Sequence, residues 1–508
     1  MRNFTWFLAT LPLIWVNQVL ADDSVRVEGG LLSGVAGSSP DIKTYKGIPY
    51  AAPPVGELRW RAPKAAAKWD GVRKADQFSA TCMQVPYPEG SPYRSAAEPV
   101  SEDCLYLNVW TGAKSGGKRP VMVWIHGGAL TRGAGSNAVY NGEALAKKGV
   151  VLVTINYRLG VFGFFAHPEL TKESDRNSSG NYGILDQIAA LEWVQKNIAA
   201  FGGDPKHVTI FGESAGSWSV NTLVASPLAK GLFQRAIGES GAFFAPLPKL
   251  ADAEKVGERI TKSLGADSVA ALRAKPAADL VKVSGELSRP NVDGWMLPDQ
   301  VYTIFANGKQ NDVPVLIGSN ADEGTAFTPP TVKAAGFQTL AKMRYVDMAD
   351  AFLKIYPAST DDEAHAATAE SMRDQTFGWE MRTWARMQTK TGKSKVYLYY
   401  FSRVPPGPAG AKLGVYHASE IAYVFHSVKS AEEVDQKLTD AMSSYWVNFA
   451  TSGDPNAKDL PKWPAYRTKT DIAMGLGNRI VPTGVPNKTA LDFLDGYMAK
   501  QRQSAGGQ

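Results

Sequence analysis

The most informative residues for chemistry form the pentapeptide Gly-Glu-Ser-Ala-Gly at 212–216, which has the G-x-S-x-G spacing of a nucleophile elbow. It directly follows the apolar run Val-Thr-Ile-Phe at 208–211 and precedes a helical pattern. The pentapeptide is therefore predicted to lie in a strand-turn-helix setting. In such a turn the serine has a strained backbone, and the flanking glycines let strand and helix approach closely. We predict that Ser214 is the nucleophile of an acyl-transfer site.

A second segment supplies the groups that would stabilise a tetrahedral oxyanion. A predicted strand at 121–125 leads into His-Gly-Gly-Ala at 126–129, where side chains are nearly absent and backbone N–H groups can face a ligand. A loop of this type, together with the N–H after the nucleophile, builds an oxyanion hole. We interpret His126 as a residue that packs the loop, because the backbone would perform the catalytic work.

A serine nucleophile needs a base, and the chain has six histidines. The order serine, acid, histidine that is typical of such strand-turn-helix sites leaves His365, His417 and His426. The composition around His365 indicates a solvated helix. His426 follows the apolar residues 423–425, which predicts a buried structural role. His417 lies in a glycine-containing loop after a predicted strand at 396–401, and we predict it to be the base.

The acid that orients the histidine should follow a strand between Ser214 and His417. The predicted strand at 313–317 leads into Gly-Ser-Asn-Ala-Asp-Glu-Gly at 318–324. Two acids, Asp322 and Glu323, compete for this role. The residue types and their spacing do not distinguish between them.

The elements that would position these residues alternate between strands and helices. Strands at 121–125, 150–155, 208–211, 313–317 and 396–401 are predicted as continuous apolar runs, and amphipathic helices are predicted at 184–198 and 434–449. This alternation predicts an α/β fold with a mostly parallel central sheet and helices on both faces. The polar, helical stretch 327–395 is predicted to be an insertion, either as a wall or lid of the substrate site or as a decoration without a binding role.

The N-terminus predicts export. Residues 1–21 combine a basic start, an apolar run too short to span a bilayer comfortably and small residues at a cleavage point, as in a signal peptide. The alternative is an uncleaved N-terminal anchor, against which Pro12 and the polar pair Asn17 and Gln18 argue. No later segment has the length of apolar sequence that a transmembrane helix needs. We therefore expect a secreted or periplasmic protein whose residues 22–508 form a single domain.

The two cysteines and the net charge agree with that prediction. Cys82 and Cys104 are expected to pair in an oxidising compartment, which would stabilise the fold by about 3 kcal/mol in the chain-entropy model. Their spacing matches neither a zinc site nor a redox-active CxxC motif. The formal charge of +6 is spread along the chain, so it predicts no nucleic-acid partner and would at most favour anionic substrates weakly.

Together these segments resemble the type-B carboxylesterase family, which includes cholinesterases and bacterial para-nitrobenzyl esterases. Phe-Gly-Glu-Ser-Ala-Gly-Ser at 211–217 is similar to the serine signature of that family, and Glu-Asp-Cys-Leu-Tyr-Leu-Asn-Val at 102–109 is similar to its second signature. Gly-Ile-Pro-Tyr-Ala at 47–51 and Pro-Pro-Val-Gly at 53–56 resemble its N-terminal segment. The resemblance covers nearly the whole mature chain.

The resemblance implies an α/β-hydrolase fold and a Ser-His-Glu triad, with Glu323 rather than Asp322 as the acid. It also implies the Cys82–Cys104 disulfide and no metal or organic cofactor. Further site residues follow by the same carry-over: the oxyanion donors would be the N–H groups of Gly128, Ala129 and Ala215, and Ser240 would support the histidine. The sequence departs from the family at two positions: Ala129 stands where many members have glycine but still supplies an N–H, and Leu130 replaces the usual aromatic residue, which affects the expected shape of the acyl pocket.

The function implied is hydrolysis of small-molecule carboxylic esters through an acyl-enzyme on Ser214. A lipase, thioesterase or amidase of the same fold is a related alternative. A non-catalytic adhesion or scaffold protein is the alternative from another class, since fold does not determine function. Such proteins usually lack a triad member, whereas all three are present here. Trp218, Phe243, Phe244 and Phe327 are candidates for an apolar pocket, or else plain core.

Overall fold

The apolar runs that predict buried strands form the centre of one large sheet in the computed structural model, which describes residues 24–94 and 98–506. The strands, in chain order, are β1 (Ser24–Val27), β2 (Gly30–Ser33), β3 (Val35–Ala36), β4 (Lys43–Pro49), β5 (Val72–Lys74), β6 (Thr81–Cys82), β7 (Val100–Ser101), β8 (Tyr106–Thr111), β9 (Arg119–Ile125), β10 (Val151–Ile155), β11 (Gly203–Glu213), β12 (Arg235–Glu239), β13 (Val315–Asn320), β14 (Val396–Phe401), β15 (Ile472–Leu476) and β16 (Ile480–Gly484). Within the described residues, eleven of them form the main sheet in the order β16-β15-β14-β13-β12-β11-β9-β10-β8-β4-β3.

Most of this sheet is parallel, as predicted. The pairs from β10 through β9, β11, β12, β13 and β14 to β15 are all parallel. Antiparallel strands close the two edges, where β8 pairs with β10 and β16 pairs with β15. Parallel strands need crossover connections, and helices provide them here.

The helices of the described chain surround the sheet. They are α1 (Glu143–Lys147), α2 (Gly160–Phe164), α3 (Pro168–Glu173), α4 (Tyr182–Asn197), α5 (Ala215–Ala225), α6 (Leu250–Ser263), α7 (Val269–Arg273), α8 (Ala277–Leu280), α9 (Val301–Ala306), α10 (Ala334–Tyr345), α11 (Ala349–Ile355), α12 (Asp361–Met372), α13 (Trp379–Thr391), α14 (Pro408–Leu413), α15 (Ile421–Val424), α16 (Glu433–Ser452) and α17 (Lys488–Gly506). A π-helical segment, Arg373–Gly378, joins α12 to α13.

Strand β9 explains why both faces of the sheet are covered. Successive side chains of a strand point to opposite faces. In β9, Val123 and its alternate neighbours belong to one hydrophobic cluster, whereas Met122 and Trp124 belong to another. The first cluster includes the apolar face of α4, and the second includes that of α16. The sheet is therefore the middle layer of an α/β-hydrolase fold, which confirms the predicted fold class.

The predicted elements are present with shifted ends. The strand predicted at 313–317 is β13 (Val315–Asn320), and the helix predicted at 434–449 is α16, which continues to Ser452 and is terminated by Gly453 with a left-handed φ of 77°. Strand β11 begins at Gly203 instead of at 208, with an irregular register between Gly203 and Val208. The predicted insertion contains helices α10 to α13.

A disulfide joins Cys82 to Cys104, as predicted. Among the described residues, no helix has both the length and the apolar character needed to cross a membrane. The predicted signal peptide at 1–21 lies outside the described residues. The assignment of residues 22–508 to one domain stays a prediction.

Candidate active site

Ser214 lies in a sharp turn between β11 and α5, as the elbow motif predicts. Its backbone has φ 56° and ψ −121°, a left-handed conformation that non-glycine residues rarely adopt. The Ser214 N–H donates to the carbonyl of Glu239 at 2.7 Å, which anchors the turn on the neighbouring strand β12. The strained turn therefore holds the hydroxyl at the carboxyl end of the central strands, where α/β sheets bind their ligands.

The two glycines of the motif are required because the backbone of β9 passes too close to them to leave room for a side chain. A Cβ at Gly212 would lie 2.5 Å from the carbonyl oxygen of Ile125, and a Cβ at Gly216 would overlap that same oxygen. Ile125 is the last residue of β9, so the first turn of α5 packs directly on the adjacent strand. The spacing of the motif thus reflects packing as well as catalysis.

Gly216→Ala is accordingly expected to destabilise the protein by about 1–3 kcal/mol, because the added methyl group must displace backbone that cannot move freely. Urea unfolding would measure this. Gly336→Ala is the matched control, since a Cβ at that helical position in α10 meets nothing within 4 Å. It should leave stability unchanged or raise it slightly. Equal effects of the two substitutions would contradict the packing explanation.

His417 and Glu323 meet as predicted. The His417 Nδ1 lies 2.5 Å from Glu323 Oε2, and the Glu323 side chain is fully buried. The other carboxylate oxygen of Glu323 accepts the N–H of Asn320 at 2.8 Å. With Nδ1–H donating to the carboxylate, Nε2 of the ring is left as an acceptor for a proton.

Asp322, the alternative acid, binds the backbone of the histidine loop instead of the imidazole. Its Oδ2 accepts the N–H of Val415 at 2.8 Å, and its own N–H donates to the Val415 carbonyl at 3.0 Å. Asp322 therefore anchors the loop that carries His417, whereas its neighbour contacts the ring. The structure thus separates the two acids that the sequence left open.

The Nε2 edge of His417 faces the nucleophile elbow. Glu213 Oε1 lies 3.0 Å from Nε2 but is not aligned for a hydrogen bond. Within the described chain, no hydrogen bond joins Ser214 Oγ to the ring, although Ser214 and His417 line the same cavity. In enzymes without substrate such catalytic contacts are often long, and they shorten when substrate binds.

Several buried carboxyls lie beneath the triad. Burial raises the pKa of Glu213 well above its usual value, and the neighbouring carboxyls of Glu420, Glu323 and Glu239 raise it further. Burial likewise raises the pKa of Glu420 strongly and that of Glu239 to about 8. All three shifts favour the protonated, uncharged form of these carboxyls.

The loop after β9 has the geometry of an anion site. Gly128 has φ 105°, and Ala129 has φ 56°. Among the described residues, the N–H groups of Gly128 and Ala129 have no hydrogen-bond acceptor, and the N–H of Ala215 opens the first turn of α5. A Cβ at Gly127 would lie 3.2 Å from the Cβ of Ser214, so the loop lies directly beside the elbow.

These groups surround a cavity of about 650 Å³, a size typical of small-molecule sites. Its wall beside His417 is aromatic: the ring centroid of Phe377 is 4.6 Å from that of the histidine, and that of Phe327 is 5.1 Å away. Phe377 lies in the π-helical segment, so the predicted insertion forms part of the wall. The Tyr93 hydroxyl donates to the His417 carbonyl at 3.1 Å. Tyr93 lies in the loop that the disulfide closes.

The sequence did not identify Tyr93, Phe377 or Glu213 as site residues. The one available signal for Tyr93 was its place between the two cysteines. Of the four predicted pocket aromatics, Trp218 and Phe327 line the cavity, whereas Phe243 and Phe244 are buried in the core.

The remaining histidines and Ser240 have mixed outcomes. His126 packs against Tyr157 with ring centroids 4.4 Å apart, and burial lowers its pKa to about 4, which confirms the packing interpretation. His365 is exposed, as predicted.

The prediction for His426 was wrong: the chain turns outward with φ 55° after α15, and the ring pairs with Asp440 at the surface. Among the described residues, the buried Ser240 hydroxyl has no hydrogen-bond partner, so its supporting role stays a prediction.

Comparisons with known proteins agree with this geometry. The model of the carboxylesterase family matches residues 21–493. A fumonisin B1 esterase of Sphingopyxis macrogoltabida is 39% identical over 90% of this chain and 86% of its own length. A para-nitrobenzyl esterase of Bacillus subtilis is 35% identical over 91% and 96%, respectively. A human cocaine esterase is 35% identical over 86% and 84%.

Proposed function

The chain belongs to the carboxylesterase family and is a carboxylic ester hydrolase, and we propose that Ser214, His417 and Glu323 are its catalytic triad. One observation carries the proposal. The imidazole of His417 is held by a buried carboxylate at 2.5 Å, its Nε2 edge faces the nucleophile elbow, and the ring lines the same cavity as Ser214. The loop beside the elbow adds N–H groups without acceptors among the described residues.

Acylation follows from these positions. His417 Nε2 takes the proton of the Ser214 hydroxyl as Oγ attacks the ester carbonyl carbon. The carbonyl oxygen becomes an oxyanion, which accepts hydrogen bonds from the N–H groups at 128, 129 and 215. Losing one such donor typically costs about a hundredfold to a thousandfold in rate. The bond to the alcohol oxygen then breaks, and His417 returns its proton to the leaving alcohol.

Deacylation repeats the same steps with water. His417 takes a proton from water as the water oxygen attacks the acyl carbon, and the second oxyanion occupies the same hole. Collapse of the intermediate releases the carboxylic acid and returns the proton to Ser214 Oγ. Glu323 stabilises the imidazolium in both halves of the reaction and fixes which ring nitrogen carries the proton.

Labelling with a fluorophosphonate tests the assignment of the nucleophile. Attack by Ser214 Oγ on phosphorus expels fluoride and leaves a stable adduct. We expect the mass of that adduct on the peptide containing Ser214, with loss of esterase activity in proportion to labelling. Unfolded protein, in which the triad is separated, is the control and should not react. A labelled residue elsewhere, with activity lost in parallel, would reject Ser214.

We also propose that the protein is exported, as a secreted or periplasmic enzyme acting on small-molecule esters. The basic and then apolar N-terminal sequence supports export. The Cys82–Cys104 disulfide supports it independently, because disulfides persist in oxidising compartments. N-terminal sequencing of the mature protein is expected to begin after Ala21, and a mature protein that still begins at Met1 would contradict export by cleavage.

A further inference from the structure

The charges around the cavity are unevenly distributed. Three cationic side chains line it: Arg94, Arg132 and Lys429. Among the described residues, the one acidic side chain that lines it is Glu213, and burial together with three nearby carboxyls raises the pKa of that side chain well above its usual value. The described wall of the cavity therefore holds three cationic side chains against one acidic side chain.

Arg132 is the best placed of the three. It is half-buried, whereas Arg94 has an exposed ion pair with Glu89 at 3.7 Å and Lys429 is exposed. Within the described residues, no carboxylate lies within ion-pairing distance of the Arg132 guanidinium. Its contact in the cavity is the ring of Tyr87, whose centroid is 5.2 Å from the guanidinium carbon.

The position of Arg132 is tied to the oxyanion loop. Its backbone N–H donates to the carbonyl of Gly128 at 3.0 Å, so the residue is fixed to the segment that would receive the ester carbonyl. Arg132 also interacts electrostatically with the residues beside the elbow. Burial raises the pKa of Tyr87 to about 12, Glu213 raises that pKa further, and the positive charge of Arg132 lowers it. Tyr87 thus lies within electrostatic range of both.

Because the half-buried guanidinium of Arg132 has no carboxylate partner among the described residues, its N–H donors are available to bind an anionic group of a ligand. Its planar donors match a carboxylate in two parallel hydrogen bonds, and such charge-assisted bonds are among the strongest in proteins. We propose that this enzyme prefers esters that also carry a free carboxylate, and that Arg132 binds that carboxylate. This inference rests on the proposed function, because it concerns the substrate that Ser214 attacks.

Matched pairs of esters that differ by one carboxylate test the inference. 4-Nitrophenyl hydrogen adipate against 4-nitrophenyl hexanoate places the charge in the acyl group. 4-Acetoxybenzoate against its methyl ester places it in the leaving group. For each pair the measured quantity is the ratio of kcat/KM for the anionic ester to that for the neutral one. The pair with the higher ratio identifies the side of the ester that faces Arg132.

We expect Arg132→Gln to lower the higher ratio at least tenfold, a change of about 1.4 kcal/mol. Arg132→Lys, which keeps the positive charge, should retain most of the wild-type ratio. Arg259→Gln, which removes an exposed charge on α6, is the matched control and should leave both ratios unchanged. In the wild-type enzyme the ratio should also fall as salt approaches about 1 M, where the screening length is about 3 Å.

Two results would overturn the inference. One is a ratio in Arg132→Gln equal to that of the wild type for both pairs. The other is an equal loss on the anionic and the neutral ester, which would indicate that Arg132 only holds the loop. Neither result bears on Ser214, because labelling of the nucleophile is measured separately. Should Arg132→Gln not fold, the Lys variant and the salt dependence of the wild type decide the question.

Discussion

Replacing Ser214 with alanine is expected to lower kcat for a short-chain 4-nitrophenyl ester about a millionfold, the loss seen when a triad acts as a unit. The reason is that removal of Oγ leaves His417 without a hydroxyl to activate. The oxyanion donors and the cavity would remain, so a residual acceleration over water of about a thousandfold is expected. Steady-state kinetics with purified enzyme would measure both values.

The variant should fold normally. Within the part of the chain that the structure describes, Ser214 Oγ forms no hydrogen bond, and alanine differs from serine only in lacking that oxygen. We expect the free energy of unfolding to change by less than about 0.5 kcal/mol, as for substitutions that disturb no packing. Retention of more than about one hundredth of the wild-type kcat by a folded variant would reject Ser214 as the nucleophile.

The catalytic elements were predictable because their signals are local. The elbow needs glycines on both sides of the serine so that the turn and the first turn of α5 can pack closely on β9. All the residues that meet this requirement lie within five consecutive positions of the sequence. The continuous apolar strands were predictable for the same reason, since a sheet covered on both faces needs no polar alternation. The contact of His417 with Glu323, by contrast, was a pairing across 94 residues that rested on chain order and family resemblance.

The cavity wall was mostly not predictable. Tyr93 contacts the backbone of His417 from 324 residues away, and no periodic pattern encodes such a contact. Phe243 and Phe244 were candidates by proximity to a catalytic segment but pack into the core instead. His426 was predicted as buried from its apolar neighbours; however, α15 ends two residues before it, and the outward turn exposes the ring. A helix end of this kind changes burial within a single residue.

The choice between Asp322 and Glu323 shows what the fold adds. Adjacent side chains beyond β13 point in different directions: one contacts Val415, and the other contacts the imidazole. Sequence spacing treats the two acids as equivalent, whereas the turn after the strand does not. This difference makes the pair a natural test and control.

Glu323→Gln is expected to lower kcat about ten-thousandfold, with little change in KM, by reversing the histidine tautomer. The Asn320 N–H donates to Glu323 Oε1 at 2.8 Å in the wild type, and in the variant it would donate to the amide oxygen of the glutamine. The amide NH₂ would then face His417 Nδ1 and require it to be an acceptor. That requirement places the ring proton on Nε2, where it blocks proton transfer from Ser214.

Asp322→Asn is the matched control, because it removes the adjacent charge but keeps an oxygen for the Val415 N–H, now bound at 2.8 Å. We expect a loss in kcat of less than tenfold for this variant. Kinetics of both variants, with thermal unfolding to show that each is folded, complete the test. Equal losses in the two variants would mean that negative charge near the loop, and not the tautomer of His417, is what the carboxylate supplies. The triad would then lack its third member, because only a group that touches the ring can fix the position of its proton.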